Sequence, residues 1–224
     1  SVQELWEVLK EGKETISFFT PDELDKSLPE SLRNDPLYVA ARGIVPSAKT
    51  FDAKFFGLNP KLASAMDPQQ RLFFEIAWEA LEQSGYLPNL YDGKIGVYAG
   101  VKSNTYFLNN VFPNKKLMSQ IGSMQATTIN DIGYVATRTA YHLNLKGPAV
   151  SVHSACSTSS LAIAQAVESI RSGQCDVALA GGSSVTSPMY SGHLYQEGSM
   201  KSADGKCRPF DANSTGTMFC DVAG

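Results

Sequence analysis

Residues Pro148–Gly182 read PAVSVHSACSTSSLAIAQAVESIRSGQCDVALAGG, and the order of elements within this stretch decides the fold. Pro148–Val152 is a short apolar run with two β-branched valines, the pattern of a strand covered on both faces, although periodicity by itself also allows helix. Ile163, Ala166, Val167 and Ile170 then recur at i, i+3, i+4 and i+7, which predicts an amphipathic helix with that stripe buried. Gly173 stands where a helix stop belongs, and Val177–Ala180 predicts a second compact strand ended by a turn at Gly181 and Gly182. Cys156 therefore falls where a strand turns into a helix.

That position has chemical consequences. The first turn of a helix carries unpaired backbone N–H groups and the positive end of the helix dipole, a setting that favours a thiolate and offers donors to a developing oxyanion. The same residues also fit a small buried hydrophobe packed among Ala155 and serines. Local sequence leaves the nucleophile and the buried filler evenly balanced.

The bulk properties narrow the class. The chain has 224 residues, 43% hydrophobic and 18% charged, as ordinary globular proteins do, which excludes disordered and fibrous classes. A net charge of −3 and a pI near 5.6 provide no basic field, so no nucleic-acid partner is expected. No apolar run approaches a membrane span and no signal-peptide pattern opens the sequence, so no membrane partner is expected. Cys156, Cys175, Cys207 and Cys220 form no CxxC pair and predict free thiols in a reducing cytoplasm.

Along the chain, Val2, Leu5, Trp6 and Leu9 predict a helix stopped at Gly12. Phe18–Pro46 reads as surface connection, with a short helix start at Thr20–Leu24 and a short strand within Tyr38–Val45. Asp67-Pro68-Gln69-Gln70 predicts an N-cap, a first-turn proline and a capping glutamine, followed by a charged shoulder, a buried stripe of Phe73, Ile76, Ala77 and Ala80, and an end at Gly85. Lys94–Gly100 predicts a strand whose glycines admit close backbone approach. Residues 101–126 read as a long loop or short helices over a pocket or partner. Thr128–Leu143 predicts one helix with Ile132, Val135, Ala136 and Thr139 on one face. Thr215–Phe219 predicts a strand, and the chain reaches Gly224 without a further element.

Other constellations are weaker. His142 fits packing or a dipole contact at a helix end, His193 a solvated loop, and His153 lies only three residues from Cys156 along an extended run. The scattered His and Cys lack metal-ligand spacing, so no metal site is expected. Neither GxGxxG, GxxxxGK[ST] nor GxSxG occurs, and a cysteine hydrolase would need a base and an orienting residue for which no motif exists.

Four blocks carry a resemblance. HSACSTSSLAIAQAVESIRSGQCDVALAGG resembles the active-cysteine segment of the ketosynthase (β-ketoacyl synthase) domains of modular polyketide synthases, members of the thiolase-like superfamily. FFGLNPKLASAMDPQQRLFFEIAWEALEQSGY is similar to that family's upstream block, ATRTAYHLNLKGPAVSV to its approach strand, and SADGKCRPFDANSTGT to the block after the cysteine. LYQEGSMKSADGKCRPFD is similar to ketosynthases of mixed peptide–polyketide or trans-acyltransferase lines.

The resemblance implies a layered α/β, thiolase-like fold, of which residues 1–224 form a single partial domain: essentially the first of two similar halves, truncated at both ends. It implies that Cys156 is the catalytic residue, accepting an acyl chain from the phosphopantetheine thioester of an acyl carrier protein. A malonyl-type extender on a second carrier then loses carbon dioxide and attacks the Cys156 thioester. No cofactor is expected on this chain itself, and the full domain is expected to be a cytoplasmic homodimer. The family's two histidine motifs, EAHGTGT and KSNIGH in their usual form, do not occur in the 224 residues, and His142, His153 and His193 match neither. The polypeptide alone is therefore expected not to complete the condensation. A non-catalytic dimerisation or assembly module is the alternative. Ser160 in place of the family's usual leucine and Cys220-Asp221-Val222 in place of a glycine-containing turn are the departures.

Overall fold

The structure, a computed structural model, describes residues 2–224. Helix α1 (Val2–Lys10) is followed by β1 (Ser17–Phe18), α2 (Glu30–Arg33), β2 (Tyr38–Val39) and β3 (Ala41–Arg42). Next come α3 (Pro60–Ala65), α4 (Pro68–Ser84), β4 (Ile95–Val101), α5 (Lys115–Ile121), α6 (Ser123–Asn130) and α7 (Val135–His142). The chain continues through β5 (Ala149–Ser151), α8 (Thr158–Arg171), β6 (Val177–Ser184), β7 (His193–Leu194) and β8 (Val222–Ala223). These elements divide between two compact units, residues 2–44 with 189–220 and residues 45–188 with 221–224.

The larger unit holds the cysteine. Its sheet has the order β5-β4-β6-β8, with β4 parallel to both β5 and β6 and β8 antiparallel to β6. All seven residues of β4 are buried because helices cover both faces. Ile95, Val97, Ala99 and Val101 join the core made by α4 and α7, whereas Tyr98 packs with Ala162 and Ala166 of α8 on the opposite face. Strand alternation thus sorts one strand's side chains between two helical layers.

Helix α4 starts where its sequence requires. The Asp67 carboxylate accepts the Gln69 N–H, Pro68 sits in the first turn, and Gly85 at φ 78 closes the far end. Two features differ from expectation. Ala80 is exposed, its place in the buried stripe taken by Leu81. The expected charged shoulder is buried together with its cap: Gln69, Gln70 and Arg71 Nη2 donate to main-chain carbonyls of neighbouring segments, and Asp67 is bonded by Gln69.

The expected single helix over 128–143 is broken. Asp131 adopts extended backbone (φ −70, ψ 123), and its carboxylate accepts the Gly133 N–H at 2.8 Å, so the side chain ends α6 and restarts the chain through a 3-10 turn into α7. Residues 101–126 form a π-helical turn (Phe107–Val111), α5 and the start of α6 around a small core of Ala65, Val111, Ile121 and Ala126.

Three expectations for the cysteine stretch are corrected. Strand β5 lies at the sheet edge with Val150 exposed, rather than covered on both faces. Helix α8 forms, but it buries Ala162, Ala166 and Ser169; Ile163, Val167 and Ile170 are 54%, 40% and 43% exposed. Small residues face the sheet because β4 and β6 approach closely there, which leaves the larger apolar side chains outward. Gly181 and Gly182 are not a turn: β6 runs through both, and Gly182 exchanges backbone hydrogen bonds with Gly224. A Cβ at Gly181 would lie 2.3 Å from the Gly224 carbonyl oxygen, so the pair permits strand contact. The residues before Gly224 accordingly form β8, where no element was expected.

In the smaller unit β1 pairs with β3 and β2 with β7, both antiparallel. Tyr38–Val45, where one short strand is expected, supplies two, β2 and β3, which pair with different partners. Thr20–Leu24 is a turn held by the Glu23 carboxylate, which accepts the Thr20 N–H, and Leu24 is buried. Thr215–Phe219 contributes only an isolated bridge between Thr217 and Lys201. Helix α1 forms with Val2, Leu5, Trp6 and Leu9 all exposed.

Candidate active site

Cys156 is the middle residue of a 3-10 turn, Ala155–Ser157, that joins β5 to α8, and it is exposed. The buried-filler reading does not describe it. Ala155 adopts φ 48, the left-handed region that residues with a Cβ avoid, so the turn is tighter than an ordinary strand-to-helix connection. Hydroxyls hold it. The Ser157 N–H and hydroxyl both donate to the Ser154 carbonyl, at 3.1 and 2.8 Å, and the Ser154 and Ser157 hydroxyls meet at 2.5 Å. The Thr158 hydroxyl accepts the Ser154 N–H at 2.9 Å and donates to the Ala155 carbonyl at 2.8 Å. At the N-cap of α8, Ser157 makes no side-chain capping bond. Its hydroxyl is committed to the turn, which leaves the first helical turn without a side-chain cap from Ser157.

The strand-to-helix position of Cys156 follows from the sequence, but what supports it does not. Gln69 is fully buried and uses every hydrogen-bonding group of its amide. Its Nε2 donates to Asp67 Oδ2 and the Lys102 carbonyl, each at 2.9 Å, and its Oε1 accepts the N–H groups of Lys102 and Val185. Lys102 follows β4 and Val185 follows β6, so one side chain ties together the carboxyl ends of two central strands. The spacing DPQQ signalled a helix start; nothing in it distinguished Gln69, which reaches the strands, from Gln70, which binds Arg138 Nη1 at 2.7 Å.

Burial pushes the Asp67 carboxyl up to about 6, against the opposing effect of its bonds from Gln69 and of nearby Arg71. The native state therefore holds this proton more tightly than the unfolded chain does. Its contribution is fully present below about pH 4 and is lost as pH rises to about 6, a change of roughly 3 kcal/mol. Urea denaturation at pH 4.5 and 7 is expected to show this fall, and Asp67→Asn is expected to remove that part of the pH dependence. An unchanged slope in the variant contradicts the assignment.

The histidines stand apart from such a role. His142 is half-buried, its Nδ1 donating to the Phe56 carbonyl at 3.1 Å, and burial lowers its pKa. This bears out packing. His193 is buried in β7 with Nε2 2.8 Å from the Ser202 carbonyl, which corrects the expectation of a solvated loop. His153 is exposed, following β5. In the smaller unit Arg208, foremost, and the Ser202 hydroxyl hold the Asp204 carboxyl down to about 2. Among the described residues there is no group of three or more His, Cys, Asp or Glu suited to a metal ion, and no helix long and apolar enough to cross a membrane.

Three parallel strands and one antiparallel strand between helical layers, with a cysteine on the turn from strand to helix, form the thiolase-like α/β arrangement of the solved ketosynthases on which the chain superposes. The chain belongs to the β-ketoacyl synthase family: residues 1–224 match "Beta-ketoacyl synthase, N-terminal domain". It is 41% identical over 225 residues to a component of the phenolphthiocerol/phthiocerol polyketide synthase of Mycobacterium tuberculosis, covering 97% of this chain and 15% of that protein. It is 37% identical to the spectinabilin polyketide synthase system protein NorA' of Streptomyces orinoci, covering 100% of this chain and 6% of that one. Ketosynthase twelve of the bacillaene polyketide synthase from Bacillus amyloliquefaciens superposes with a TM-score of 0.87 at 34% identity, covering 99% of this chain and 38% of that chain. The chain thus spans a small part of the synthases it resembles and about a third of the solved ketosynthase.

Proposed function

We propose that residues 1–224 are part of a polyketide synthase ketosynthase domain in which Cys156 accepts the growing acyl chain. The observation that carries the reading is the exposed thiol of Cys156 on a tight, hydroxyl-braced turn at the start of α8, within a chain of this family. The Cys156 sulfur attacks the thioester carbonyl of an acyl chain on an acyl carrier protein's phosphopantetheine. A new C–S bond forms, and the carrier's thiol leaves with the proton that Cys156 gave up. Backbone N–H donors at the head of α8 stabilise the oxyanion formed on the way. In the second stage a malonyl-type thioester on another carrier loses carbon dioxide, and the resulting carbanion attacks the Cys156 thioester. The product is a β-ketoacyl thioester, and Cys156 returns as thiolate. This chain supplies the acyl acceptor; His142 and His193 are bound to main-chain carbonyls, and the family's histidine motifs are not among its residues.

The outward apolar side chains Ile163, Val167 and Ile170 of α8 support the reading of a half-domain whose second half covers that layer. The free edge of β5, with Val150 exposed, favours a second reading, in which the chain serves dimer assembly by strand pairing and has no chemistry of its own. Supplying the purified chain with acyl and malonyl thioesters on carrier protein is expected to give no β-ketoacyl product, as judged by mass spectrometry. Sustained product formation without an added partner overturns the incomplete-site reading.

A further inference from the structure

We propose that Thr158 is the positioning residue for Cys156, with Gly100 of β4 as its seat. The proposal rests on the reading of Cys156 as acyl acceptor. Thr158 acts through the turn and touches no substrate. Its hydroxyl engages the two residues before the cysteine, accepting from the Ser154 N–H and donating to the Ala155 carbonyl. Ala155 is the residue at φ 48, a conformation that persists only where its surroundings over-determine it. The bond from Thr158 to the Ala155 carbonyl orients the peptide that leads directly into Cys156.

The other half of the side chain is fixed from the strand. A Cβ added at Gly100 would lie 2.2 Å from the Thr158 methyl carbon and 2.3 Å from the Val152 carbonyl oxygen. The Thr158 methyl therefore fills the space that any side chain on β4 would need at that point. Strand β4 is wholly buried, so the seat is rigid. Hydroxyl to the turn and methyl to the strand leave Thr158 one rotamer, and that rotamer sets the path of the thiol-bearing backbone relative to the sheet. Valine keeps the methyl and loses the hydroxyl, serine does the opposite, and the two parts can be separated.

The test follows acyl transfer from a butyryl thioester of N-acetylcysteamine, in which Cys156 sulfur gains the butyryl group and N-acetylcysteamine leaves as the free thiol. Cys156 is expected to acylate about tenfold or more slowly in Thr158→Val and Thr158→Ala, and to recover to within about threefold of wild type in Thr158→Ser. Thr158→Ala adds no bulk against Gly100 and keeps the test open if the valine variant misfolds. Alkylation of exposed Cys207 and Cys220 by iodoacetamide, followed in the same samples, is expected to be unchanged. Equal acylation in Thr158→Ala and wild type overturns the proposal, as does a serine variant as slow as the alanine one. If wild type takes up no butyryl group, the reading of Cys156 fails, and positioning is read from the ratio of Cys156 to Cys207 alkylation. A ratio altered in Thr158→Ala and restored in Thr158→Ser upholds it; a ratio unaltered in Thr158→Ala overturns it.

Discussion

Replacing Gln69 with leucine is expected to lower the unfolding free energy by about 3–5 kcal/mol, measured by urea denaturation at pH 7. Leucine fills a similar volume, so the effect isolates hydrogen bonding. In the native protein the Gln69 amide satisfies the N–H groups of Lys102 and Val185, the Lys102 carbonyl and one oxygen of Asp67; the bonds to Val185 and Asp67 are buried and those to Lys102 part-buried. Each buried group left without a partner costs about 1–3 kcal/mol, which outweighs the gain from burying leucine. Gln69→Glu is a sharper probe. It keeps the acceptor toward Lys102 and Val185 but sets a carboxylate against Asp67 and the Lys102 carbonyl. That variant is expected to be comparably unstable at pH 7 and to recover at pH 5 as a proton restores a donor. A cost below about 1 kcal/mol for Gln69→Leu would mean that the strand ends do not depend on this amide.

Phe74→Ala is expected to cost about 3–5 kcal/mol, and Phe74→Leu about 1–2. Phe74 is the largest of the fully buried side chains, packed with its ring centroid 5.7 Å from Phe56, 6.3 Å from Phe51 and 5.3 Å from His142. Deleting it opens a cavity among aromatic rings whose shapes do not collapse easily. The change also exposes His142, whose pKa burial now holds below its ordinary value. An NMR titration of Phe74→Ala is therefore expected to show the His142 pKa rising toward the ordinary range. A stability loss under about 1 kcal/mol with no movement at His142 contradicts the packing described.

Much of the fold was legible because local chemistry and tertiary packing agree. The strand, cysteine turn and helix from Pro148 onward, the capped start of α4 and the buried strand at Ile95–Val101 follow from periodicity and end signals. The failures share a cause: patterns report which residues are apolar, not which neighbour is present. Ile163, Val167 and Ile170 make a regular stripe, yet the close approach of β4 and β6 admits only Ala162, Ala166 and Ser169. Gly181 and Gly182 look like a turn because the strand that pairs alongside them, β8, lies far later in the chain. Gln69, Gln70 and Arg71 look solvated because partners for them come from distant segments. Asp131 breaks a helix that periodicity carried straight through, since its side chain competes for backbone N–H groups. At the site, Cys156 was visible from its position and from family resemblance. Thr158 and Gly100 were not, because their relation is a contact across layers that no spacing encodes.

The central claim is that Cys156 takes the acyl chain, and peptide-resolved mass spectrometry tests it most directly. Wild-type chain and Cys156→Ala would be incubated with an acyl group carried on the phosphopantetheine thiol of an acyl carrier protein. One acyl group per chain is expected, located on the peptide containing Cys156, and none on the alanine variant. An acyl group on Cys207 or Cys220 with Cys156 unmodified, or equal labelling of wild type and variant, would contradict it.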